Sequence, residues 1–143
     1  MLELILLANA VWFGLGFHMF ALRSTIFAKI LVPREQRETP VFETLIATGP
    51  FLGGFNFAFC ALSLLFLFNT GVFPGASQRC ILLFVFALAH GSQFLGNVPV
   101  ALANRTGKGV WRVQGLMRFI FVTDFALMVF NAVAAAIYVW GTP

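Results

Sequence analysis

Two histidines, an aspartate and several amides lie inside strongly apolar stretches of this 143-residue chain. His18, Asn56, His90, Gln93, Asn97 and Asp124 carry the chemistry. Imidazole changes charge near neutral pH and ligates metals, a carboxylate accepts hydrogen bonds and pairs with cations, and amides both donate and accept hydrogen bonds. Their spacing is helical: His90, Gln93 and Asn97 follow i, i+3, i+7 and form one stripe. Asp124 and Asn131, seven apart, share a face in the same way.

The elements that must hold these groups are four apolar runs, roughly residues 3–22, 45–68, 80–102 and 116–140. Each is long enough to cross a bilayer as a helix. The chain is 60% hydrophobic and 10% charged, with nineteen phenylalanines and one tyrosine, and its mean hydropathy is +0.93. Soluble domains carry about a quarter charged residues. The expectation is therefore an all-α integral membrane four-helix bundle, a single transmembrane domain over residues 1–143. No Lys or Arg precedes the first run and Glu3 lies inside it, so that run reads as a helix of the mature protein and not as a cleaved signal.

Basic residues are distributed unevenly. Arg23, Lys29, Arg34 and Arg37 belong to the first loop, Arg105, Lys108, Arg112 and Arg118 to the third, and Arg79 alone to the other side. The positive-inside rule places both basic loops in the cytoplasm and both termini outside. That fits a bacterial inner membrane, or an equivalent organelle membrane. The net charge of +4 is thus read as a topology signal and not as a nucleic-acid footprint. Arg105, Lys108 and Arg112 are candidates for contact with lipid head groups. Thr39-Pro40 predicts the cap and first residue of the second helix. Ile26, Phe27, Ile30 and Leu31 predict that the first helix runs on into the interface.

At 1.5 Å per residue, Asn56 and His90 fall within about 2 Å of the midplane, Gln93 and Asp124 roughly 5 Å to the cytoplasmic side, His18 about 8 Å and Asn97 about 10 Å. The six candidates then form one polar layer drawn from all four helices. A charged group near the bilayer centre costs at least about 2.5–3.5 kcal/mol, so Asp124 must face inward and find a partner, with His18 or His90 at hand. Glycines 14, 16, 49, 53 and 54 predict close backbone approach. Two uses of the layer stay open: a ligand or proton site, or hydrogen-bonding glue between helices. A haem held between His18 and His90 requires both imidazoles at one depth. No HxxxH, HExxH, P-loop, GxSxG or GxGxxG pattern occurs, so metal binding without haem and soluble-type catalysis are not expected. Cys60 and Cys80 read as small apolar fillers.

Three patches carry a family likeness: Phe17-His18-Met19-Phe20 closing the first run, Gly49-Pro50-Phe51-Leu52-Gly53-Gly54-Phe55-Asn56 opening the second, and Ala89-His90-Gly91 in the third. In these and in its four-helix layout the chain resembles small membrane proteins of the DoxX-like group and the ergosterol-biosynthesis scaffold type. The resemblance implies a non-catalytic accessory or scaffold subunit that contacts other integral membrane proteins. The alternative expectation is a small bundle holding a lipid-soluble ligand (quinone, haem, pigment or sterol) at the polar layer, as in a redox-chain anchor. A third is a proton-coupled transporter working as a homo-oligomer.

Overall fold

A computed structural model describes residues 1–140; positions 141–143 of the expected domain lie outside the described residues. The helices are α1 (Leu2–Phe17), α2 (Ser24–Leu31), α3 (Pro40–Phe68), α4 (Ala76–Asn104) and α5 (Leu116–Trp140), and no strand occurs among the described residues. Leu2–Leu22, Pro40–Phe68, Ala76–Asn104 and Leu116–Trp140 are long and apolar enough to cross a membrane.

Helix ends follow local chemistry. Thr39 Oγ1 accepts the Phe42 N–H at 3.3 Å with Pro40 in the first turn. That cap starts α3 at Pro40 and not at Leu45, where hydropathy alone begins the run. The first span does not run straight into the interface. After Phe17 the chain widens into a π-helical turn, His18–Leu22, and breaks at Arg23 with φ −128° before α2 begins. Arg37 then closes α2 from outside, its guanidinium donating to the carbonyls of Val32 (2.9 Å) and Lys29 (2.7 Å). A cation at a helix C-terminus meets both the unpaired carbonyls and the dipole.

Contacts fix the directions. Phe13 stacks on Phe59 at 5.1 Å and Phe17 lies 5.2 Å from Phe57, so α1 and α3 run antiparallel. Asn9 meets Asn131 while Trp12 meets Asp124, so α1 and α5 are antiparallel too. The loops after α1 and α4 therefore share one end of the bundle. Along their length α1 pairs with α3 and α4 with α5. Between the pairs lies a core of Leu6, Phe13, Phe66 and Phe86, and a second cluster of Leu83, Ala134 and Ala135 joins α4 to α5.

Glycine sets the tightest of these approaches. A Cβ at Gly49 would stand 2.5 Å from the Phe20 carbonyl oxygen, and one at Gly53 2.5 Å from Ala21 Cβ. This pair, four apart on α3, lets the π-helical turn lie against the helix backbone. Gly16 gives way likewise to the Asn56 side chain, whereas Gly54 faces open space. At the other basic loop Asn104 acts as a clamp. Its Nδ2 donates to the carbonyls of Lys108 (3.1 Å) and Trp111 (2.9 Å), and its Oδ1 accepts the Val113 N–H at 2.8 Å.

Candidate functional site

Three helices supply a polar cluster, and every member except Trp12 is fully buried. α4 brings His90, α5 brings Asp124 and Asn131, and α1 brings Asn9 and Trp12. His90 Nδ1 lies 3.3 Å from Asp124 Oδ1, and His90 Nε2 lies 3.0 Å from Asn9 Oδ1. The Trp12 indole N–H donates to Asp124 Oδ1 at 2.8 Å. Asn9 and Asn131 form a reciprocal amide pair, with both bonds 2.9 Å. Phe13 covers the cluster, its ring stacked 4.5 Å from that of His90.

The proton inventory follows by elimination. Asn131 Nδ2 also donates to the Leu127 carbonyl at 2.8 Å, and that carbonyl can only accept. Asn131 Oδ1 must then receive the Asn9 N–H, which turns Asn9 Oδ1 toward His90. His90 Nε2 faces a pure acceptor, so it carries a hydrogen. On the opposite edge, Nδ1 faces a carboxyl oxygen. Two bare acceptors would repel, so a proton lies between them, as imidazolium with carboxylate or imidazole with carboxylic acid. A backbone carbonyl on α5 thereby sets the tautomer of a histidine on α4. Asp124 Oδ2 is the one buried side-chain polar atom among the described residues with no partner.

The structure brings together two of the six sequence candidates, His90 and Asp124, and the partner required of Asp124 is His90. The other four stand apart. His18 is exposed in the π-helical turn, about 13 Å further along the first span than Asn9, which touches His90. Both ring nitrogens of His90 are engaged inside the cluster, so the two imidazoles do not frame a common iron. Asn97 is a loop anchor: its Nδ2 donates to the Gln93 carbonyl and its Oδ1 accepts the Trp111 indole N–H at 3.2 Å. Asn56 and Gln93 are half-buried and outside the cluster. The expected single layer from four helices is thus a cluster from three, to which α3 contributes nothing. Among the described residues no three His, Cys, Asp or Glu side chains come together. Arg105, Lys108 and Arg112 are exposed.

Asn9 and Trp12 are the members that sequence reasoning missed. Their signal is spacing: Leu6, Asn9 and Phe13 follow i, i+3, i+7, so Asn9 occupies a core position of α1, and Trp12 stands beside it.

Asn56 and Gln93 instead face two clefts. One, of about 200 Å³, lies among Trp12, Met19, Phe27, Ile30 and Phe119. The other, of about 330 Å³, lies among Phe13, Leu52, Phe55, Phe59, Ala89 and Ser92. Phe20, Asn56 and Gln93 line both. Asn56 Nδ2 donates to the Leu52 carbonyl at 3.0 Å. Trp12 and Phe13 are walls of the clefts and also the covers of the buried cluster. No protein-family model, curated protein or solved structure matches this chain.

Proposed function

We propose that the chain is a non-catalytic accessory or scaffold subunit of a larger membrane complex, meeting its partners through helix faces. The observation that supports this is where the chemistry goes. His90, Asp124, Asn9 and Asn131 hydrogen-bond to one another across the two helix pairs, so the ionisable groups inside the bundle serve to hold it together. A transporter reading is weaker, because Asp124 is fully buried and faces neither cleft.

What remains for partners is the outside. Gly54 and Ala58, one turn apart, are exposed on α3 beside exposed Phe51 and Phe55, and nothing lies within 4 Å of a Cβ at Gly54. Small residues of this kind let a second transmembrane helix come close. In this reading both basic loops lie in the cytoplasm of a bacterial inner membrane or its organelle counterpart, with both termini outside. Exposed Arg105, Lys108 and Arg112 then contact anionic head groups. Homo-oligomers would use the same face.

The test is purification in mild detergent of the wild type and of Gly54→Leu with Ala58→Leu. A stoichiometric membrane partner, or a second copy, is expected with the wild type and is lost from the double variant at unchanged melting temperature. Recovery of the wild type as a lone monomer, or equal partner recovery by the variant, overturns the proposal.

A further inference from the structure

Where lipid is the solvent, an amide facing an apolar hollow is costly unless it finds a partner. Gln93 makes no side-chain hydrogen bond among the described residues, and it lines both clefts. Asn56, across the clefts on α3, spends one N–H on the Leu52 carbonyl, and its second N–H has no partner among the described residues. Around these amides the walls are ring-rich, with Trp12, Phe13, Phe20, Phe27, Phe55 and Phe59 all lining one cleft or both. Aromatic walls favour a flat guest by offset stacking.

We propose that the two clefts are lobes of one binding site for a membrane quinone, a planar ring with a carbonyl at each of two opposite edges and an apolar tail. Gln93 donates to one carbonyl and Asn56 to the other. Trp12 and Phe20 flank the ring, and the second lobe takes the first part of the tail. The choice among lipids follows from counting donors. Two amides on facing helices match two carbonyls, whereas a sterol carries a single hydroxyl and leaves one amide unmatched. Binding of the ring requires no partner protein. Trp12 also gives the site a reporter, because its indole lines the cleft while its N–H holds Asp124.

The test titrates decylubiquinone into detergent-purified protein carrying Trp111→Phe and Trp140→Phe, so that emission comes from Trp12. Expected is saturable quenching with a matching rise in melting temperature, since a ligand that binds only the folded state stabilises it. Gln93→Leu, which breaks no side-chain bond among the described residues, should weaken binding at least tenfold at unchanged melting temperature of the free protein. Ala89→Trp, which fills the larger lobe, should abolish it. Quenching that rises linearly with quinone, as detergent partitioning produces, overturns the proposal. So does unaltered affinity in Gln93→Leu, or displacement of the quinone by an equal concentration of dehydroergosterol.

Discussion

Asp124 Oδ1 stands between two groups with different demands. It accepts the Trp12 N–H, and it shares a proton with His90 Nδ1, whose ring the Asn9–Asn131 pair has already oriented. An asparagine here is nearly isosteric but fails this double duty. Its oxygen would satisfy Trp12 and confront the His90 lone pair, while its NH₂ would satisfy His90 and collide with the indole N–H. Asp124→Asn is therefore expected to lower stability by about 1–3 kcal/mol, the cost of a buried polar group left unmatched. Adding Trp12→Phe removes one demand and frees the amide to donate to His90. The double variant should be no less stable than Asp124→Asn alone, as read from detergent melting curves. Simple additivity of the two losses would refute the shared-oxygen arrangement. Part of this site was legible in the sequence, because an acid inside a membrane span requires a partner and only two imidazoles were at hand. The amide pair was less legible. Asn9 and Asn131 are 122 positions apart, and periodicity reports which face a residue occupies, not which residue it meets.

Among the elements, the π-helical turn His18–Leu22 and the Gly49/Gly53 face of α3 depend on each other. Bulk at Gly53 would displace the Ala21 backbone, whose nitrogen lies 2.7 Å from the position of a Cβ. Gly53→Leu should cost about 1–3 kcal/mol through overpacking, and it should raise protease sensitivity around α2. Gly54→Leu, one residue along and facing open space, should leave both unchanged. Limited proteolysis of the two variants side by side checks the contrast, and equal behaviour would contradict the packing described. Hydropathy made the four spans visible, with α5 matching its run at both ends. It could not show the break at Arg23, because Ile26, Phe27, Ile30 and Leu31 continue the apolar periodicity into α2. Nor did it place the start of α3, which a hydroxyl cap sets upstream of the apolar run.

For the whole molecule, the antiparallel contacts put eight of the nine basic residues at one end of the bundle, and Arg79 lies at the other, donating to the Phe73 carbonyl at 2.8 Å. If the positive-inside rule governs, a cysteine placed at Gln36 or Thr106 reacts with a membrane-impermeant maleimide only after cell lysis. One placed at Gly71 reacts in intact cells. The background for both is a variant lacking Cys60 and Cys80, and the reverse labelling pattern would invert the orientation. The polar cluster adds a matter of timing to this architecture. Asn9 leaves the ribosome 81 residues ahead of His90 and 122 ahead of Asn131. At about 5–20 residues per second that is a delay of roughly 6–24 s. Throughout it, α1 sits in or beside the bilayer with the Asn9–Asn131 amide pair unmade. A nascent chain of this design brings Asn9 its imidazole partner with α4 and closes the buried amide pair only with α5.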